Sequence, residues 1–252
     1  MSQPSAIILA AGKGTRMDSD LPKVCHAVGG RAMVCAVVDA CREAGCGRVV
    51  VVVGYKQELV REALAGYDGV EFAEQLEQHG TGHAVLCARD AVSDEVASGS
   101  ELFVLAGDGP LIRAETLRAM LERHRSAGAA ATLATSVIDD PTGYGRIVRD
   151  GDGRFAAIVE HKNATENQLA IREVNPSYYL FDAAKLFESL DRVERNPVSG
   201  EYYVTDVPGL LLAGGERVEV IDAVPPEDVL SINTLEQLEE VDRIYRSRGA
   251  LR

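Results

Sequence analysis

The chain has 252 residues, 46% hydrophobic and 26% charged, proportions that suit one large α/β domain better than two equal ones. Thirty-nine acidic side chains against 26 basic ones leave a net charge of −13, which argues against a general nucleic-acid binder and against attachment to anionic membranes. No apolar run reaches the roughly 18 residues of a spanning helix. Met1-Ser2-Gln3-Pro4 carries no basic leader region, and the five cysteines, without a Cys-x-x-Cys pair, read as reduced thiols; a cytoplasmic protein with neither zinc nor disulfides is expected.

Short apolar runs alternate with helical patterns from the start. Ala6-Ile7-Ile8-Leu9-Ala10 reads as a buried strand stopped by Gly12 and Gly14, and residues 31–44 as a helix. Arg48 with the five valines 49–53 is a strand covered on both faces. A helix near 56–65, a strand at 70–72 and a helix over about 82–91 follow. Glu101-Leu102-Phe103-Val104-Leu105 is a further strand, ended by Gly107-Asp108-Gly109-Pro110, and a helix spans 114–124. Strand and helix in alternation predict right-handed crossovers, a mostly parallel sheet and helices on both faces: a Rossmann-like α/β fold.

After Ala129 strand and turn signals dominate, with strands at 131–135, 146–148, 156–159 and 178–181. Helices return near 184–190 and 202–214. Thr234 and Gln237 form a capping box for a last helix with Leu235, Leu238, Val241 and Ile244 in one apolar stripe. No linker interrupts the chain, so a single unit over 1–252 is expected, with a nucleotide-binding half (1–129), an acceptor half (130–230) and a C-terminal helix (231–252).

The segment Leu9-Ala10-Ala11-Gly12-Lys13-Gly14-Thr15-Arg16 stands at the C-terminal end of the first strand, where open α/β sheets bind ligands. A dinucleotide fingerprint would need glycine where Arg16 stands, and the P-loop spacing is missing. A tight structural turn with solvated charges is the plainer reading. The third is a polyphosphate cradle: glycine backbone N–H groups approach an anion, while Lys13, Arg16 and Lys23 gather three cations against the global acidity.

With Leu21-Pro22-Lys23 this loop resembles the signature of sugar-1-phosphate nucleotidyltransferases. Glu74-Gln75 and Gly80-Thr81-Gly82-His83-Ala84 narrow the resemblance to the uridylyltransferase domain of bacterial N-acetylglucosamine-1-phosphate uridyltransferases, from about Ala6 to the last helix. The resemblance implies that Leu9, Ala10, Ala11, Gly12, Gly14, Gln75, Gly80, Thr81 and Gly107 hold the nucleotide, with Gln75 on the uracil edge. It implies that Lys13, Arg16 and Lys23 neutralise phosphate, that Asp108 and Asn233 ligate Mg²⁺, and that Gly145, Glu160 and Asn175 hold the sugar. Glu201-Tyr202-Tyr203-Val204-Thr205-Asp206 is expected to brace the acceptor pocket. On residues alone, Gln75, Asp108 and Glu160 are equally an exposed loop glutamine, a turn aspartate and a solvated strand end.

The implied reaction joins UTP and a hexosamine-1-phosphate to give a UDP-sugar and pyrophosphate. Three departures bear on the sugar: Ala106 where relatives carry tyrosine, Pro176-Ser177 where they carry Thr-Gly, and a longer loop at Leu76-Glu77-Gln78-His79. Another sugar-1-phosphate as the acceptor, such as glucose-1-phosphate or a different hexosamine phosphate, and a non-catalytic nucleotide-sugar-binding regulatory module stay open. No hexapeptide repeat is present, so no acetyltransferase is read from the chain, and the oligomeric state is left open.

Overall fold

The computed structural model describes residues 2–14, 17, 19–230, 232 and 234–249, so Arg16 and Asn233 lie outside the described residues. The first half runs β1 (Ser5–Ala10), β2 (Ala27–Val28), β3 (Arg31–Ala32), α1 (Met33–Glu43), β4 (Arg48–Val53), α2 (Gln57–Ala63), β5 (Val70–Glu74), α3 (Thr81–Cys87), α4 (Ser93–Ser98), β6 (Glu101–Ala106) and α5 (Ala114–Ala127). The second half adds β7 (Ala131–Val137), β8 (Gly145–Arg149), β9 (Phe155–Val159), α6 (Glu166–Leu169), β10 (Glu173–Asp182), α7 (Ala183–Leu190), α8 (Val207–Ala213), β11 (Val218–Asp222) and α9 (Leu235–Gly249).

The main sheet has the order β11-β7-β10-β6-β1-β4-β5, with β8 on β10 and β9 on β8. β6, β1, β4 and β5 are mutually parallel, whereas β10 runs antiparallel to both β6 and β7. One continuous sheet thus carries both halves of the chain.

The apolar runs of β1 and β4 follow from burial on two sides. Ile8, Val49, Val51 and Val53 pack toward α1, α5 and Val241 of α9. Ile7, Val50 and Val52 point the other way, toward α3, α7 and α8. With period-two alternation and both faces covered, every position must be apolar. β1 lies between β4 and β6; its chain continues to β4 on one flank, whereas that of β6 continues to β7 on the other, and the crevice lies beyond the C-terminal ends of these two central strands.

Several boundaries differ from expectation. The 82–91 helix breaks after Cys87 into a 3-10 turn at Asp90–Val92 and then α4. The 202–214 helix begins at Val207 after a 3-10 turn at Val204–Asp206, with Tyr202 and Tyr203 outside it. β10 continues through Pro176, tolerated because its register with β7 shifts between Val174 and Tyr178, where a missing N–H breaks no ladder. β11 and the β2–β3 hairpin went unforeseen. In α9 the Thr234–Gln237 capping box forms, at 3.2 Å in both directions. Val241 is buried, but Leu235 is 56% exposed and leaves the expected stripe at the helix's first turn.

Candidate active site

A cavity of about 400 Å³ fills the crevice, and its walls include Leu9, Ala10, Ala11, Gly12 and Gly14 from the end of β1. Gly14 has φ +70°, and a Cβ there would stand 2.6 Å from Lys23 Cβ, so this position needs glycine for both backbone and space. The close approach packs the Lys23 stem against the loop. From the 76–79 loop, Gln78 Nε2 donates to Ala11 O at 2.9 Å, giving that loop a direct hold on the glycine turn.

Lys23 and Asp108 meet across this cavity. Lys23 Nζ lies 2.5 Å from Asp108 Oδ2, with the two side chains 15% and 26% exposed. Asp108 follows β6 and Lys23 follows the β1 loop, so the pair joins the two strand ends flanking the crevice. Lys13 stands elsewhere: it is exposed, and its Nζ sits 5.3 Å over the ring of Tyr55, away from the cavity walls. Gly107 is likewise not in the walls; its N–H donates to Leu9 O at 2.9 Å and ties the end of β6 to β1.

Gln75, only 4% exposed, extends from the end of β5 into the cavity wall. Its Nε2 lies 3.0 Å from Gly80 O and 3.0 Å from His83 Nδ1. Gly80 and Thr81, at the start of α3, are also in the wall. Thr81 Oγ1 accepts from Val204 N at 3.1 Å, fastening α3 to the segment that closes the acceptor side.

Glu160, Ser177, Tyr179, Glu201, Val204 and Thr205 form that side. Burial pushes the Glu160 carboxyl above its ordinary value, against the opposing effect of Thr205 Oγ1, which donates to Oε1 at 3.1 Å. Asn175 pairs with Gly145 in the β10–β8 ladder. Its Nδ2 donates to the Tyr179 hydroxyl at 2.6 Å and its Oδ1 accepts from Ser177 N at 3.1 Å. Neither Gly145 nor Asn175 is in the wall itself; Asn175 stands behind Tyr179 and Ser177. Ser177 holds φ +66°, a left-handed conformation where relatives were expected to carry glycine.

Eleven of the expected site residues (Leu9, Ala10, Ala11, Gly12, Gly14, Lys23, Gln75, Gly80, Thr81, Asp108 and Glu160) therefore share one cavity, while Lys13, Gly107, Gly145 and Asn175 do not line it. Gln78, Ser177 and Tyr179 line it without having been singled out for binding. The periodicity of β10 marked Tyr179 only as a strand residue, and nothing local tells a wall tyrosine from a core one. The donor set at Asp108 suits a hard divalent cation such as Mg²⁺, which takes one or two protein carboxylates and completes its shell with phosphate and water. Among the described residues no group of three or more His, Cys, Asp or Glu gathers into an all-protein metal cage.

The chain is 45% identical over 248 residues to "Bifunctional protein GlmU" of Heliobacterium modesticaldum, covering 98% of this chain and 53% of that protein. It is 46% identical over 243 residues to the protein of the same name from Geobacillus thermodenitrificans, covering 96% of this chain and 52% of that one. The chain thus spans about half the length of these relatives. A solved structure of UDP-glucose pyrophosphorylase complexed with UDP-glucose superposes with a TM-score of 0.78 over 98% of this chain and all of that one, at 16% identity, which establishes a shared fold. Among the described residues no helix is long and apolar enough to cross a membrane. The MobA-like NTP transferase domain matches residues 6–196, and with a sheet whose strand ends enclose the glycine turn, Gln75 and Asp108, the chain belongs to that nucleotidyltransferase family.

Proposed function

We propose that this chain transfers a uridylyl group from UTP to N-acetylglucosamine-1-phosphate, releasing pyrophosphate and forming UDP-N-acetylglucosamine. The observation that carries the reading is the single cavity joining the glycine turn, buried Gln75, the Lys23–Asp108 pair and half-buried Glu160. The identity with bifunctional GlmU proteins supports the choice of reaction. Within one folding unit, the half up to residue 129 supplies the nucleotide site and residues 130–230 the acceptor site.

An oxygen of the sugar phosphate attacks the α-phosphorus of UTP; a new P–O bond forms and the bond to pyrophosphate breaks. The attacking oxygen is already anionic near neutral pH, so no general base is needed, and catalysis is in-line positioning with charge neutralisation. Asp108, with Asn233, would hold Mg²⁺, which when bound offsets the negative charge of the phosphates. Lys23, which pairs with Asp108 at the crevice, would present its ammonium to phosphate. Backbone N–H groups of Ala11–Gly14 cradle the triphosphate and Arg16 meets the leaving pyrophosphate, which Lys13 joins only by leaving the ring of Tyr55. Glu160 accepts from sugar hydroxyls, and Asn175 orients the wall through Tyr179 and Ser177.

Pyrophosphate release, measured with UTP, CTP, dTTP and GTP against a panel of sugar-1-phosphates plus Mg²⁺, tests the proposal. UTP with N-acetylglucosamine-1-phosphate should be the fastest pair. A faster rate with glucose-1-phosphate would reassign the acceptor. No release with any acceptor, alongside UDP-sugar binding, would make the chain a binding module.

A further inference from the structure

We infer that His83 is a positioning residue for nucleotide choice: it locks the Gln75 amide so that only Oε1 is offered to the base. The inference rests on the proposed uridylyl transfer and goes to how its nucleotide is selected.

Gln75 Nε2 faces two acceptors at once, Gly80 O at 3.0 Å and His83 Nδ1 at 3.0 Å. An amide nitrogen has two hydrogens, and this arrangement uses both. With Nδ1 accepting, the imidazole carries its proton on Nε2, which lies 3.8 Å from the Cys87 sulfur, one helical turn further along α3. The His79 ring meets the His83 ring edge-on at 5.1 Å and limits its rotation. A flipped amide would set Oε1 against the Gly80 carbonyl lone pair and, with the imidazole proton on Nε2, against that of His83 Nδ1 as well.

Gln75 lines the cavity, and among the described residues its Oε1 has no hydrogen bond. A pure acceptor at the base position suits a pyrimidine that presents an N–H at N3, as uracil does. Cytosine presents a lone pair at N3 and would leave two acceptors facing each other. Discrimination thus comes from an unpaired buried polar group in the wrong complex, the kind of contact that gives large selectivity. An unlocked amide could turn its NH₂ to the cavity and accommodate either base. His83 touches neither base nor phosphate in this scheme; it acts through Gln75.

The test is equilibrium binding of UTP and of CTP, each with Mg²⁺ and no acceptor, by calorimetry on wild type, His83→Leu and His83→Asn. The Asn Oδ1 occupies about the place of Nδ1 and restores the acceptor. His83→Leu should lower the UTP-over-CTP preference roughly tenfold, the worth of one buried hydrogen bond, while His83→Asn keeps most of it. A structural role alone would shift melting temperature in both variants and leave the preference ratio unchanged. An unchanged ratio in His83→Leu, an equal loss in His83→Asn, or a wild type that binds CTP as tightly as UTP each overturns the inference. Failure of the transfer reading shows separately, as wild-type protein that prefers UTP yet releases no pyrophosphate with any sugar phosphate.

Discussion

Replacing Asp108 by alanine tests the centre of the site in two independent ways. Without ligands, Asp108 is the counter-ion of Lys23 at 2.5 Å, with side chains 15% and 26% exposed. Fully exposed pairs contribute about 0–1 kcal/mol, and breaking a fully buried pair costs about 3–5 kcal/mol. This pair lies between, so Asp108→Ala should cost about 2 kcal/mol, a fall of about 4–8 °C in melting temperature for a chain this size. In turnover the same carboxylate would hold the divalent ion, and its loss should lower kcat by about 10²-fold or more, as for one electrostatic stabiliser of a transition state. The assay is pyrophosphate release at saturating UTP and sugar phosphate across a Mg²⁺ titration, paired with thermal unfolding of the ligand-free protein. A double variant with Lys23→Met should lose less stability than the two single variants together, because the Lys23–Asp108 interaction is then lost once and not counted twice. Near-normal turnover at saturating Mg²⁺ would refute the ligand assignment; additive stability losses would refute the coupling of the pair.

Glu160→Gln should trade activity for stability. Burial raises the carboxyl, so its charged form penalises the fold above that raised value, and the penalty disappears once both folded and unfolded states are protonated, below about pH 4. The variant should melt higher than wild type at pH 7 and equally at low pH, while kcat/KM for the sugar phosphate falls about tenfold or more; a gain in stability that persists at low pH would contradict this. Ser177→Gly relieves a left-handed serine at φ +66° and should add about 0.5–1 kcal/mol, read as a rise of about 1–4 °C in melting temperature; no rise would mean the conformation carries no strain. Asp228 is 1% exposed and joins Arg113 with Arg248 of α9, whose side chains are 38% and 27% exposed, so Asp228→Ala should cost about 2–3 kcal/mol in urea unfolding, and a loss below about 1 kcal/mol would show the clamp to be dispensable.

Much of the scaffold was legible before any coordinates. The five valines of β4 and the apolar run of β1 are explained only by burial on both faces, and Thr234 with Gln237 announced the start of α9 through local hydrogen bonds. The glycine turn was readable because a positive φ and a 2.6 Å approach to Lys23 admit little else at Gly14. β11 escaped because its run Val218-Glu219-Val220-Ile221-Asp222 is short and places Glu219 inside, held by Arg123 and Arg217. Pro176 hid the true length of β10, and the exposed first turn of α9 cut short a stripe that ideal periodicity extends to Leu235.

Local pattern therefore determined the elements and the glycine turn, because propensity, alternation and capping act over a few residues. The tertiary structure alone decided what those elements enclose. Lys23 and Asp108 are 85 positions apart, Thr205 and Glu160 45 apart, and Gln78 and Ala11 67 apart. The first contact exists because β1 and β6 lie side by side, the second because the 204–206 turn packs on the end of β9, and the third because β5 reaches the same rim as β1 across β4. The same packing turned Lys13 out onto Tyr55 and set Gln75 against His83. Sheet order arises from burying all faces at once, a condition on the whole chain that no short window of residues contains.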